Sequence, residues 1–366
     1  MTVARRSYNF AIQSMMYNSL KAVVAISSAK KELIMQEGID FVITWVDGED
    51  PKWLEEKKKY DNTIDYFNDV RIVRYRDLGI LRYWFRGVEN NAPWVNKIFF
   101  VTWGHIPDWL NTENQKLVIA KHSDFIPEKY LPTFNSCAIE MNLHRIKGLS
   151  ECFVYFNDDM YLLNKTRKED FFKKGKPCDA AILSIIMPCG KDMFEHRLVN
   201  NSIVLNRHYS QRKTIMRHPF QWINIRYNTK QIQSIPLLFK KRFSTLRNSH
   251  LPASLQKSTF EYLWKNEREV MENTSSQRFR SITCVNPWLI QAFQIASGNF
   301  APRNPRIGKY YENSDDMSEI IHVIKKSKKK MVCINDDITV SDIEKVKMEL
   351  EKAFIERFPQ KSSFEK

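Results

Sequence analysis

The feature that most constrains the fold is one run of β-branched and aromatic residues, Ile39-Asp40-Phe41-Val42-Ile43-Thr44-Trp45-Val46, closed by the turn-forming Asp47-Gly48-Glu49-Asp50-Pro51. An almost unbroken apolar strand leaves neither face for water, so it belongs inside a parallel sheet covered on both sides. Runs of the same character recur at 97–102 and 152–156, with helical patterns between them at 78–88 and 136–147, and a charged surface helix and loop at 52–70. Strands alternating with helices imply βαβ units, and so an α/β, Rossmann-like, mostly parallel sheet with helices on both faces. Ligands of such sheets bind at the carboxyl ends of the strands, which here carry residues 45–47, 102–105 and 157–159.

Composition supports a folded chain: 43% of the 366 residues are hydrophobic, including 23 Phe and nine Trp, while 10 Gly and 14 Pro are too few for a low-complexity protein. The expected organisation is an N-terminal helical segment (1–37), an α/β core (38–190), a basic helical region (191–325) and a C-terminal strand and helix (326–366) that return to the active site. The six cysteines lack CxxC spacing, so neither a zinc site nor a disulfide framework is readable, and a reducing compartment is expected. Residues 22–26 are apolar but too few to span a bilayer, and no cleavage signal follows, so the chain is expected to be non-secreted. The N-terminal segment reads as an amphipathic helix that lies either on a membrane or on the body of the protein.

The net charge of +15 is concentrated: between Arg197 and Phe260 there are twelve Lys and Arg and not one Asp or Glu. The same stretch is rich in Trp, Phe, Ile and Leu, so it reads as a largely helical basic insertion. Such a surface suits phosphate-bearing or membrane-surface partners; no nucleic-acid-binding module is present in the sequence, and none is expected as a partner. After a lysine cluster at 325–330 and a short strand at 331–334, Ser341 and Glu344 predict a capping box. Ile343, Val346, Leu350 and Phe354 form the stripe of the helix that follows, with Pro359 beyond its end.

Asn157-Asp158-Asp159 is the sharpest local feature. Paired carboxylates at a strand end suit Mg²⁺ or Mn²⁺ bound together with a diphosphate. Adjacent strand residues point to opposite faces, so both acids reach one ion only if the strand breaks there; the other reading is a polar turn. Asn335-Asp336-Asp337 repeats the pattern after the 331–334 strand. His250, inside the acid-free segment, is either a neutral general base or a structural histidine. Glu140 and His144 are either a catalytic pair or an ordinary i,i+4 contact. Arg82, Arg86 and Arg280 are candidate phosphate clamps or solvated arginines, and Trp45 either stacks on a base or packs in the core.

Taken together, these residues resemble the Stealth family of sugar-phosphate transferases, in four ordered blocks covering nearly everything from 39 to 366. The first is IDFVITWVDGEDP. The second is LRYWFRGVENNAPWVNKIFFVTWGHIPDWL followed by HSDFIPEKYLPTFNSCAIEMNLHRIKGLSECFVYFNDDMYL. The third is SHLPASLQKSTFEYLW with SSQRFRSITCVNPWL, and the fourth is VCINDDI with the terminal helix. The resemblance implies a GT-A-like nucleotide-sugar-binding core and a transfer of sugar-1-phosphate. An acceptor hydroxyl attacks the β-phosphate of a UDP-sugar, UMP leaves and a phosphodiester forms, in capsular or cell-surface polysaccharide synthesis. A conventional UDP-sugar glycosyltransferase releasing UDP is the alternative.

By family position the resemblance implies Trp45, Asp47, Asn157 and Asn335 on the nucleotide side. Arg82, Asn135, Arg145 and Asp158 fall among the catalytic residues, with His250 as general base and Arg280 as phosphate clamp. Asp159 and Asp336 hold Mg²⁺ or Mn²⁺, with Asp158 as a third candidate ligand. The implied partners are a UDP-sugar donor, an anionic glycan acceptor, and either an anionic membrane or capsule-assembly proteins, on the cytoplasmic side of a bacterial membrane. Thr102-Trp103-Gly104-His105 stands where the family often has Thr-Asn-Gly-Gln, so an amide contact is either lost or replaced by stacking.

Overall fold

A computed structural model describes residues 38–64, 68–71, 74–187, 194–314, 316–337 and 340–366. The expected N-terminal helical segment lies outside the described residues. The first apolar run forms β1 (Asp40–Thr44). Pro51–Lys58 follows as α1, started by Asp50, whose side chain accepts from the Trp53 N–H. Then come α2 (Leu81–Asn91), β2 (Ile98–Thr102), β3 (Leu117–Lys121), α3 (Ser136–Asn142), β4 (Cys152–Phe156) and β5 (Met160–Leu162). The basic region supplies α4 (Phe194–His208), α5 (Gln211–Arg217), a kinked 3₁₀ stretch (Ile225–Leu237) and β6 (Ala253–Gln256). The chain continues through α6 (Lys257–Asn266), α7 (Arg268–Ser276), α8 (Trp288–Ala296) and β7 (Gly308–Glu312), then α9 (Ser318–Lys326), β8 (Met331–Asn335) and α10 (Ile343–Arg357).

The central sheet runs in the order β6-β4-β1-β2-β3. β1 pairs in parallel with both β2 and β4, β2 pairs in parallel with β3, and β6 adds an antiparallel edge to β4. The strand order reverses between β1 and β4, which opens a crevice at their carboxyl ends. Alternate residues feed two cores, one on each face. Phe41, Ile43, Phe100, Val154 and Phe156 belong to one, and Val42, Phe99, Val101, Phe153 and Tyr155 to the other. The expectation of a strand buried on both faces therefore holds, and mixed α/β architecture with a largely parallel sheet is what forms. Asp40 enters this interior because its carboxylate accepts from Asn96 Nδ2, the Lys97 N–H and the Ser150 N–H at 2.8, 3.1 and 2.7 Å.

A second, three-stranded sheet has the order β7-β8-β5, β7 parallel and β5 antiparallel to β8. The C-terminal helix covers it: Phe354 packs on Tyr161 and stacks on Tyr83. That helix differs from expectation at its start. Its cap is Asp342, one residue beyond the expected Ser341, and it accepts from the Lys345 N–H at 2.9 Å. The basic region also differs in not being wholly helical, because its β6 completes the central sheet. Arg86 ties the chain together: its guanidinium holds both Glu365 oxygens at 2.8 and 2.7 Å and donates to the Phe358 carbonyl at 2.8 Å. Among the described residues no helix is long and apolar enough to cross a membrane.

Candidate active site

A cleft of about 1000 Å³ opens at the carboxyl ends of β1 and β4, where the strand order reverses. β4 stops at Phe156 and β5 starts at Met160, so Asn157-Asp158-Asp159 is a tight turn, with the Met160 N–H donating back to the Asn157 carbonyl at 3.2 Å. This is the break that both acids need, and Asp158 and Asp159 both line the cleft. Burial pushes the Asp158 carboxyl up to about 8, with Asp159 and Asp77 adding to the shift. Asp159 is also raised by burial, and its Oδ1 is buried without a hydrogen-bond partner.

The second acidic pair arrives on β8. The antiparallel register sets Cys333 opposite Met160, and Asn335, Asp336 and Asp337 line the same cleft. Asp336 lies 3.3 Å from Arg76, and burial raises its carboxyl against the pull of that guanidinium. Asn335 donates to the Asp336 carbonyl at 2.9 Å.

His250 also lines the cleft, with a backbone φ of +48°. Its N–H donates to Asn248 Oδ1 at 2.7 Å, and the ring stacks on Tyr310 with centroids 5.2 Å apart. One donor atom each of Asp159, His250 and Cys333 lie within 4.8 Å of one another. The sequence reading surrounds His250 with cations; the fold adds this carboxylate and thiol as its neighbours.

Arg280 also lines the cleft, on a short strand that pairs with Asp69, and its Nε donates to Ser136 Oγ at 3.1 Å. Beside it are two residues the sequence reading did not place in the site. Arg197 of α4 is only 5% exposed and its NH1 nitrogen has no hydrogen-bond partner. Glu140 of α3 accepts from the Tyr155 hydroxyl at 2.9 Å, and burial, with Cys137 adding to it, holds its carboxyl up at about 8. Nothing separated Arg197 from eleven other cations in the sequence. Glu140 was legible only as an i,i+4 partner of His144, and that pairing does not form. α3 ends at Asn142, and His144 stacks on Phe260 in the core, lowered by its burial to about 3.

Of the residues expected to meet a nucleotide, Trp45 is largely buried, donating from Nε1 to Asp77 at 3.2 Å and meeting the His105 ring edge-on. The Asp47 N–H donates to His105 Nε2 at 2.9 Å, and the Trp103 ring lies tilted beside the same imidazole. Asp47 itself does not line the cleft; its Oδ1 accepts from the Glu49 N–H at 2.9 Å. Gly48 is required here, because a Cβ would sit 2.0 Å from the Tyr75 carbonyl. The loop it touches brings Arg71, Arg74, Tyr75, Arg76 and Asp77 into the cleft wall. Burial favours a neutral Asp69, but Arg71 and Arg74 outweigh it and hold that carboxyl well below its ordinary value.

Three expected catalytic residues lie elsewhere. Arg82 stacks its guanidinium over Trp109 at 5.5 Å, and Arg145 lies over Trp264 at 4.4 Å while donating to Asn142. Asn135 is wholly buried as the α3 cap: its Oδ1 accepts from the Cys137 N–H and its Nδ2 donates to the Gln277 carbonyl. None of the three lines the cleft. Arg145 and Asn135 are hydrogen-bonded within the fold, Arg82 keeps a buried Nε without a hydrogen-bond partner, and Arg86 is committed to Glu365.

Residues 37–65 match Stealth protein CR1, conserved region 1; residues 74–179 match Stealth protein CR2, conserved region 2; residues 322–366 match Stealth protein CR4, conserved region 4. The capsular polysaccharide phosphotransferase WcwK of Streptococcus pneumoniae is 41% identical over 331 residues, 90% of this chain and 98% of that protein. The chain belongs to the Stealth family. Two other Stealth relatives are the exopolysaccharide phosphotransferase cps2G of Lactiplantibacillus plantarum, 42% identical over 90% of this chain and 96% of the relative, and the receptor polysaccharide phosphotransferase WefC of Streptococcus gordonii, 39% identical over 90% and 100%. The matched regions carry the residues of both acidic turns, whereas Arg197, His250 and Arg280 fall between the second and third of them.

The residues present fit a hard divalent cation. Mg²⁺ is usually held by one or two carboxylates together with substrate phosphates and water, and Asp158 and Asp159 offer that set, with an unpartnered buried oxygen on Asp159. The tighter Asp159–His250–Cys333 group includes a thiol and an imidazole, which suit softer metals. Asp336 has both carboxylate oxygens buried without a hydrogen-bond partner as well, and it stands 3.3 Å from Arg76, whose charge competes with a cation there.

Proposed function

We propose that this Stealth protein transfers a sugar-1-phosphate from a UDP-sugar to a hydroxyl of an anionic acceptor glycan. The product is a phosphodiester of capsular or cell-surface polysaccharide, and UMP is released. One observation carries the reading: a single cleft at the switch point of a parallel sheet is lined by both acidic turns, by the buried guanidinium groups of Arg197 and Arg280, and by His250. The relatives named as polysaccharide phosphotransferases support it. On this reading the sheet is a GT-A-like frame, with the nucleotide at the Trp45 end of the cleft.

His250 takes the proton of the attacking hydroxyl, and Asp159 beside it stabilises the imidazolium that forms. The oxygen bonds to the β-phosphorus, and the bond from that phosphorus to the bridging oxygen breaks, leaving its electron pair on UMP. Charge stays on phosphoryl oxygens throughout, where Arg197 and Arg280 supply fixed positive charge. Mg²⁺ or Mn²⁺, held by Asp158 and Asp159, would neutralise the diphosphate. The reaction is assigned to the cytoplasm, facing the membrane on which polymer is assembled. Incubation with a panel of UDP-sugars, Mg²⁺ and acceptor glycan tests the reading: UMP with a new phosphodiester signal in ³¹P NMR is expected. Release of UDP would overturn it in favour of a conventional glycosyltransferase.

A further inference from the structure

The layer formed by residues 211–242 has two sides of opposite character. Inward, Ile215, Trp222 and Tyr227 join one of the two cores. The ends of the layer are tied to each other: the Gln211 N–H donates to the Lys241 carbonyl at 3.0 Å, and its side chain donates to the Leu237 carbonyl at 2.6 Å. Arg212 and Lys213 are thereby brought beside Lys240, Lys241 and Arg242. With one side of a single layer committed to the core, the remaining side chains share the outer face.

That outer face is apolar where a solvated surface should not be. Phe220, Ile225 and Phe239 are 85%, 94% and 84% exposed, and Met216, Ile232 and Ile235 are each more than half exposed. Single exposed apolar residues are ordinary, but with Ile223, also more than half exposed, seven within 24 positions of one layer form a patch that calls for a partner. Around them stand Arg212, Lys213, Arg217, Arg226, Lys240, Lys241 and Arg242, all exposed, in a stretch without a carboxylate. Among the described residues none of these seven is ion-paired.

We propose that this layer docks on an anionic lipid surface, its aliphatic and phenyl side chains entering the headgroup boundary while the surrounding cations sit among lipid phosphates. Charge complementarity selects the occupant. A second copy brought face to face would set one acid-free cationic surface against another. A nucleic acid would match the charge, but it offers no apolar phase to Met216, Ile225, Ile232 or Ile235. Lys230 of the same layer lines the catalytic cleft, so docking sets the mouth of the cleft at the lipid surface and assigns it an acceptor presented there. The docking does not depend on which group the cleft transfers.

Sedimentation of the full chain with vesicles tests this directly. It is expected to pellet with phosphatidylcholine vesicles containing phosphatidylglycerol, weakly or not at all with phosphatidylcholine alone, and less as salt rises. The exposed triple variant F220S/I225S/F239S should lose roughly tenfold or more in partitioning while keeping its net charge and its thermal unfolding curve. R212Q/K213Q/R217Q should bind more weakly and with a shallower salt dependence. Failure to pellet with the anionic vesicles would overturn the proposal. So would equal binding by wild type and the apolar triple variant, or a wild-type dimer on size exclusion that this variant makes monomeric.

Discussion

The backbone N–H of Ile334 donates to the carbonyl of Asp159 at 2.8 Å, joining across one ladder two acidic turns that lie far apart along the chain. This contact puts Asp336 in the wall of the cleft into which Asp158 and Asp159 project. Both Asp159 and Asp336 keep buried oxygens without a hydrogen-bond partner, and Asp336 also has the Arg76 guanidinium at 3.3 Å.

Asp159→Asn should therefore abolish metal-stimulated UMP release, and chelation of the wild-type enzyme should do the same. Asp336→Asn should leave Mg²⁺ affinity within a few-fold while lowering turnover through the displaced Arg76 loop. Titrating Mg²⁺ against the rate in each variant checks this, and a large rise in the Mg²⁺ requirement of Asp336→Asn would return that residue to the metal.

Loss of a positioned general base costs about 10²–10⁴-fold in rate, so His250→Ala should lower kcat by that order with KM for the donor nearly unchanged. A variant with full kcat and raised KM would make His250 a binding residue. Its stacking on Tyr310 predicts that Tyr310→Ala weakens activity less, because it loosens the ring without removing the proton acceptor.

Glu140 gives the protein a pH-dependent stability. Burial holds its carboxyl at about 8 in the folded chain, against an ordinary value of 4.5. Between those two pH values the folded state binds more protons than the unfolded one, so the contribution is complete below the lower value and is lost as pH rises toward the upper. Thermal melting in metal-free buffer should show Tm falling from mildly acidic to mildly alkaline conditions. Glu140→Gln, which can still accept from Tyr155, should flatten that decline and raise Tm at alkaline pH.

Arg86 separates structural arginines from catalytic ones. Removing one partner of a buried, doubly hydrogen-bonded pair costs about 3–5 kcal/mol, so Arg86→Ala should lower Tm sharply while molecules that remain folded keep their kcat. Arg197→Gln should do the reverse, preserving Tm and losing turnover, since its NH1 has no protein partner to lose. Measuring both quantities on both variants decides the assignment.

How much of this was legible follows from where each signal resides. β1 and β4 were readable because both faces are buried and the apolar run is continuous. β6, with the sequence Ala-Ser-Leu-Gln, is a strand only because β4 offers it an edge, and no local pattern announces that. The acidic turns were readable from residue type and position at strand ends. Arg82, Arg86 and Arg145 look alike in sequence, yet their partners are Trp109, Glu365 and Trp264, chosen by the tertiary fold. Arg197 was hidden for the same reason: burial, not sequence context, distinguishes it from its basic neighbours.

The three-pair ladder between β5 and β8 has a bearing on how such proteins diversify. Because that pairing, and not the intervening polypeptide, aligns the two acidic turns, the outer layer at 211–242 can be lengthened, shortened or exchanged while the alignment survives. Transplanting that layer between relatives is thus a direct route to redirecting such an enzyme to a different surface with its reaction chemistry intact.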